Sequence, residues 1–166
     1  MATPVHSIAV PQSDSVRVVL QRVSNAGVTV EGSVIAEIGR GLCLLAGAAA
    51  GDDAAVVQAA VEKISGLRVF PDDAGKMNRS VMDVSGEILV VSQFTLLGDA
   101  RRGRRPSFTG AASPDVARPL IDDLVSGFES LGIPTSRGEF GAMMEVSLVN
   151  DGPVTLVLDF EPSTRR

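Results

Sequence analysis

The sequence predicts an α+β domain: a mostly antiparallel β-sheet or barrel with two amphipathic helices packed on it. Three observations carry that expectation. Short apolar runs recur between Gly-containing turns, which is the punctuation of strands. Only two stretches, near residues 51–66 and 113–132, repeat their apolar residues at helical spacing. A length of 166 residues suits one domain of ordinary size with a sizeable core.

Taken in order, Val16–Val23 reads as a strand. Ala26–Glu31 alternates, turns at Glu31-Gly32, and Ser33–Ile38 returns as the second arm of a hairpin. Gly39-Arg40-Gly41 leads into Leu42–Ala46, a buried strand. Gly51-Asp52 opens a helix whose Val56, Val57, Ala60, Val61 and Ile64 form one stripe, and Gly66 can stop it. Leu67–Phe70 reads as a short strand and Pro71–Ser80 as a polar loop.

Residues 86–96 hold the strand around which the chain is organised. Ile88, Leu89, Val90 and Val91 are aliphatic without interruption, the mark of a strand buried on both faces. Ser92-Gln93-Phe94-Thr95 then carries the strand out as polar side chains around an aromatic. A strand that turns polar at its end presents those groups at the lip of a pocket; a core strand merely leaving the core is the plainer alternative.

Residues 98–112 have no periodicity and read as a long functional loop. Ser113-Pro114-Asp115 starts the second helix, with Ser as N-cap and Pro in the first turn. Its buried face is expected to be Val116, Leu120, Ile121, Leu124, Val125, Phe128 and Leu131, and Gly132 ends it. Pro134–Arg137 suits a short edge strand, and Met144–Val149 and Val154–Phe160 suit strands on either side of a Gly152-Pro153 turn. The expected organisation is a disordered N-terminal extension over 1–15, one domain over 16–160 and a polar tail over 161–166, with no repeat and no linker.

Composition narrows the chemistry. Trp and Tyr are absent and only six Phe occur, so the core is mostly aliphatic. No apolar run approaches the roughly 18 residues of a membrane span. Met1–Ser15 lacks the basic start and long apolar stretch of a signal peptide. The lone Cys43, flanked by leucines, reads as a small core hydrophobe; it excludes an internal disulfide and fits a reducing cytoplasm. The single histidine, His6, lies in the expected extension, so no Ser-His-Asp or Cys-His arrangement is available to the domain. The acidic pairs Asp52-Asp53, Asp72-Asp73 and Asp122-Asp123 are adjacent rather than facing and suit caps and turns, so neither a metal nor a cofactor is expected.

A net charge of −5 argues against a generic nucleic-acid coat. Charge is nonetheless concentrated: Arg101, Arg102, Arg104 and Arg105 fall within one loop. Such a cluster on an acidic protein suits a local phosphate-binding patch or, equally on sequence alone, a solvated loop.

Two stretches, Ser92-Gln93-Phe94-Thr95-Leu96 and Asn150-Asp151-Gly152-Pro153-Val154-Thr155, resemble the two signature motifs of the D-aminoacyl-tRNA deacylases, which free tRNA from D-amino acids. The resemblance runs from about Val16 to Asp159. It includes Leu20-Gln21-Arg22-Val23, Gly75-Lys76-Met77-Asn78, Gly103-Arg104-Arg105-Pro106-Ser107-Phe108 and Gly138-Glu139-Phe140-Gly141. Either motif alone is weak, and both in order are specific.

The resemblance implies a compact α+β fold, a homodimer with its active site at the subunit interface, and ester hydrolysis on aminoacyl-tRNA, glycyl-tRNA included. Ser92, Gln93, Phe94 and Thr95 would form the catalytic strand end. Backbone N–H groups near Phe94 and Thr95 would stabilise the oxyanion, with hydrolysis assisted by a ribose hydroxyl of the tRNA. Thr95 suits a hydrogen-bonding role better than that of nucleophile, because no base is at hand. Gly152 and Pro153 would form a cis pair that enters the partner's pocket and excludes an L side chain, with Arg22 holding the pair. Phe140 and Met143 match the pocket wall. Met143-Met144-Glu145 departs from the family's usual Asp-Met-Gln, which brings Met144 in as the other wall candidate. Leu97-Gly98 also replaces the usual Tyr-Ala. Arg101, Arg102, Arg104 and Arg105 would contact tRNA. Two alternatives compete: the related deacylase that clears L-alanine from tRNA, and a non-catalytic tRNA-binding module.

Overall fold

The computed structural model describes residues 15–162. Of the expected extension over 1–15, residues 1–14, His6 among them, lie outside the described residues, as do residues 163–166 of the expected tail; Ser15 is described and is buried.

The backbone of the molecule is β1 (Val16–Val30). Its first half pairs antiparallel with β3 (Gly41–Gly47), its second half with β2 (Ser33–Ile38), and its other edge with β8 (Glu145–Phe160). What the sequence divides into a strand and a hairpin arm is thus one strand of 15 residues. The turn at Glu31-Gly32 adopts left-handed backbone, φ 49° and 78°.

The sheet continues from β3 through β6 (Glu87–Ser92) to β7 (Thr135–Arg137), and both of these pairings are parallel. The sheet is therefore mixed, more so than its turn-rich sequence suggests. It curls so that β2 faces β6 and β7, approaching a closed barrel. Residues 71–80, expected as loop, include a small antiparallel hairpin of β4 (Phe70–Pro71) and β5 (Met77–Arg79). The short strand expected over Leu67–Phe70 is confined to that start.

Two apolar cores lie on the two faces of the sheet. Inside the curl, Val23, Ala26, Val28, Ile38, Cys43, Leu89 and Val91 pack together. On the other face, Leu20, Leu42, Leu44, Ile88 and Val90 meet the helices α1 (Ala54–Gly66) and α2 (Pro114–Ser130). This explains the uninterrupted aliphatic run of β6, which is covered on both sides. Each fully buried Leu, Ile or Phe contributes about 1.5–3 kcal/mol. Burial also pushes the Cys43 thiol up to about 11, so it stays protonated and inert at neutral pH.

Asp53 caps α1, its Oδ1 accepting from Val56 N at 3.1 Å. Asp52 instead accepts from Ala49 N at 2.6 Å. The buried face of α2 is shorter than its apolar spacing implies: Val116 and Leu131, expected inside, are each 43% exposed, whereas Ala117 is buried. They sit at the two ends of the helix, where the apolar stripe has rotated off the sheet. Among the described residues no helix is long and apolar enough to cross a membrane.

Candidate active site

The organising strand delivers its polar end as a turn. β6 stops at Ser92, and Phe94–Leu97 form one turn of 3-10 helix instead of the strand continuation expected. Gln93 N donates to Ala46 O at 2.8 Å, and Leu96 N to Gln93 O at 3.3 Å. A turn that begins this way leaves its first amides unspent. The N–H groups of Phe94 and Thr95 accordingly find no acceptor among the described residues. The far side of the turn is tethered by Arg17, whose Nη1 donates to Leu96 O at 3.3 Å while its Nε is paired with Asp159 at 2.8 Å.

Gly47, at the end of β3, lets this turn lie directly against the sheet. A Cβ there would stand 2.6 Å from Leu97 Cδ2 and 2.7 Å from Gln93 O. The Gln93 amide N–H donates to Thr95 Oγ1 at 3.2 Å.

The turn forms one wall of a cleft of about 490 Å³. Ser92, Gln93, Phe94 and Thr95 share its lining with Phe140, Met143 and Met144, and Phe108, Pro114 and Ala117 are among the other residues that line it. Phe94 and Phe108 meet edge to face, their ring centres 5.4 Å apart. Of the two wall methionines, Met143 is 92% exposed at the mouth, while Met144 is half-buried and packs toward the inner core.

Gly152, Pro153 and Arg22 form a separate constellation, and none of the three lines this cleft. The expected pair of strands around them is one strand, β8, interrupted in register: Gln21 pairs Thr155, Val23 pairs Asn150, and residues 151–154 bulge opposite Arg22. The Gly152–Pro153 peptide is cis, and Gly152 has φ 143°, a conformation closed to most L side chains. Asp151, Gly152 and Pro153 are exposed, whereas Val154 turns inward.

Two side chains hold the bulge. Arg22, 8% exposed, donates from Nε to Asp151 O at 2.8 Å and from Nη1 to Val69 O at 2.7 Å. Asn150 spans it from inside, its Oδ1 accepting from Val154 N at 2.7 Å and its Nδ2 donating to Val154 O at 3.2 Å. The result is a corner tied down from two sides, with Asp151, Gly152 and Pro153 exposed on it.

In the loop after the turn, Asp99 and Ser107 exchange backbone hydrogen bonds at 2.7 and 2.9 Å. Arg101 pairs with Asp99 at 2.7 Å, and its guanidinium holds that carboxyl well below the usual range. Arg102, Arg104 and Arg105 are exposed and make no ion pair among the described residues. Among the described residues no group of three His, Cys, Asp or Glu side chains could hold a metal.

The structure thus brings the Ser92–Thr95 stretch together with Phe140, Met143 and Met144, and keeps Gly152, Pro153 and Arg22 apart from them in the same chain. Sequence reasoning does not single out Gly47 or Ala117, and it names Phe108 and Asn150 only within longer motif stretches, with no role of their own. Only Asn150 carries a visible signal, as an amide just before a Gly-Pro turn.

Comparison with known proteins bears on this arrangement. Residues 19–159 match the family model described as D-Tyr-tRNA(Tyr) deacylase. The chain is 56% identical over 143 residues to the D-aminoacyl-tRNA deacylase of Roseiflexus castenholzii, covering 86% of this chain and 91% of that protein. It is also 56% identical over 143 residues to the D-aminoacyl-tRNA deacylase of Thermomicrobium roseum, covering 86% and 93%. Among solved structures, a c-Myc DNA unwinding element binding protein superposes with a TM-score of 0.81 at 41% identity, over 86% of this chain and 97% of that one. A probable eukaryotic D-amino acid tRNA deacylase superposes with a TM-score of 0.76 at 19% identity, over 88% and 100%, a likeness of fold alone. With a family model spanning nearly the whole described domain and relatives identical at more than half their aligned positions, the chain belongs to the D-aminoacyl-tRNA deacylase family.

Proposed function

We propose that this protein hydrolyses the ester between a D-amino acid and the terminal ribose of tRNA, and glycyl-tRNA as well, because glycine has no side chain to reject. The observation that carries this reading is the turn at Phe94–Leu97. Two of its residues, Phe94 and Thr95, line an apolar cleft with their backbone N–H groups unspent, beside a hydroxyl but no base. An activated ester needs mainly positioning and a receptor for its oxyanion. Water attacks the carbonyl carbon, guided by the vicinal ribose hydroxyl. The N–H groups of Phe94 and Thr95 take up the negative charge on the carbonyl oxygen. The carbon–oxygen bond to the ribose then breaks, the ribose oxygen gains a proton, and the amino acid leaves as a carboxylate.

The same reading makes the protein a homodimer. The corner at Gly152-Pro153 is held stiffly and aimed outward, away from its own cleft, which suits insertion into the cleft of a second copy. There a rigid wall would reject an L side chain by repulsion, a sharper discrimination than a lost contact. The substrate assigns the protein to translation quality control in the cytoplasm, which the single free thiol suits.

The test is release of amino acid from D-tyrosyl-tRNA by pure protein in EDTA, set against L-tyrosyl-tRNA. Rapid release of the D form alone is expected. Release of neither leaves only a tRNA-binding module, and release confined to L-alanyl-tRNA points to the L-alanine-clearing relative.

Two further outcomes follow from the geometry. Thr95→Ala should keep substantial turnover, because the Thr95 hydroxyl receives a hydrogen bond and has no base. Loss of one oxyanion donor costs about a hundred- to a thousandfold; a larger drop with the fold intact would restore the nucleophile. Neutralising Arg102, Arg104 and Arg105 together should weaken tRNA binding and flatten its salt dependence, while saturated turnover stays close to that of the parent. Arg101 should matter less, since Asp99 already holds it. An unchanged salt slope would make the loop merely solvated.

A further inference from the structure

We propose that Arg118 binds the phosphate next to the terminal nucleoside of the substrate, at the mouth of the cleft. This inference rests on reading the cleft as an aminoacyl-tRNA site, and it adds a contact outside both signature motifs and the arginine loop.

Arg118 lies on α2 one turn after Pro114, a residue of the cleft lining. Its guanidinium stacks over the ring of Phe140, 4.7 Å from the centroid, and Phe140 is itself a lining residue. The charge is exposed and makes no ion pair among the described residues. Asp122, one turn further along the same helix, is taken by Arg137 at 2.6 Å. Among the described residues no Arg or Lys lines the cleft itself, and Arg118, over the ring of a wall residue, is a cation that borders it.

Stacking on an aromatic face fixes the plane of a guanidinium while leaving its in-plane N–H groups to the solvent side. That is an oriented fork without an acceptor, matched in geometry to a phosphate. The substrate has such a group at the right remove. With the aminoacyl group and its ribose inside an apolar cleft, the first formal negative charge is the phosphodiester one nucleoside from the ester. It must emerge at the mouth. An arginine whose only task was to cover Phe140 would steady the wall equally for a substrate with no phosphate.

That difference is the test. Arg118→Gln removes the charge and the fork while keeping a comparable stem. Its kcat/KM would be measured on D-aminoacyl-tRNA and on the D-aminoacyl ester of adenosine, which has no phosphate. The expected result is that the loss on tRNA exceeds the loss on the adenosine ester by about tenfold, as for one charged hydrogen bond. It should appear in KM, with the salt slope of tRNA binding reduced by about one phosphate contact. Arg118→Lys, a charge without a fork, should fall between the two. Equal losses on both substrates, including no loss on either, would overturn the proposal. If the parent protein cleaves neither ester, the deacylase reading fails first and the inference with it.

Discussion

Arg22→Ala should lower D-aminoacyl-tRNA turnover by about a hundredfold and at the same time weaken discrimination against the L ester. Arg22 is nearly buried and spends its guanidinium on two carbonyls, those of Asp151 and Val69. One bond fixes the corner that carries Gly152 and Pro153, and the other fixes that corner to the strand-helix junction behind it. Alanine leaves both carbonyls short of a donor, at a stability cost of about 2–4 kcal/mol. The larger consequence is positional, since a displacement of about 1 Å in a positioning group costs on the order of a hundredfold in rate. Kinetics on paired D- and L-tyrosyl-tRNA would measure it, with thermal unfolding as the control for fold. Arg22→Lys should recover part of the loss, because an ammonium can reach one carbonyl but cannot bridge both. Parental kinetics for Arg22→Ala would show that the corner has no part in the reaction.

Gly47→Ala attacks the other half of the site. The added methyl would stand 2.6 Å from Leu97 Cδ2 and 2.7 Å from Gln93 O. The leucine tip can rotate away; the carbonyl belongs to the backbone that starts the 3-10 turn. The turn must therefore shift, and the N–H groups of Phe94 and Thr95 shift with it. Overpacking of this kind costs about 1–3 kcal/mol, which a domain with two cores can tolerate. The proposed oxyanion donors would tolerate much less, and turnover should fall about a hundred- to a thousandfold, with KM little changed. Circular dichroism and single-turnover rates would separate the two effects. Retention of full turnover by a folded Gly47→Ala protein would remove the turn from the chemistry.

Much of this architecture is legible in the sequence, and the gaps have physical causes. The β6 run is readable because a strand covered on both faces has no polar alternation to hide it. The helical stripe of α1 is readable for the complementary reason. Strand direction is not, because Leu42–Ala46 and Ile88–Val91 look alike whether their neighbours run parallel or antiparallel. Nor is the continuity of β8 across Gly152-Pro153: a bulge keeps the ladder going where turn residues announce a break.

At the site, Ser92 to Thr95 stand out as residue types, yet the 3-10 turn that follows Gln93 lies against Gly47, far away in the chain. A glycine that matters by what it lets approach leaves no local trace. Similarly, nothing in an isolated sequence says that Arg118 should stack on Phe140. The separation of Gly152-Pro153 from its own cleft is a three-dimensional fact, and it is the one that makes a second copy necessary to the proposed mechanism.

That necessity can be measured by mixing the two disabled proteins. Gly47→Ala has a damaged cleft and a sound corner; Arg22→Ala has a sound cleft and a damaged corner. If each corner completes the cleft of its partner, a mixed dimer contains one fully intact site. Dissociating and reassociating equal amounts should then restore D-tyrosyl-tRNA hydrolysis to about a quarter of the parental rate, since about half the dimers are mixed and each has one working site of two. Activity that stays at the average of the two variants, with mixed dimers shown to have formed, would contradict a site shared between subunits.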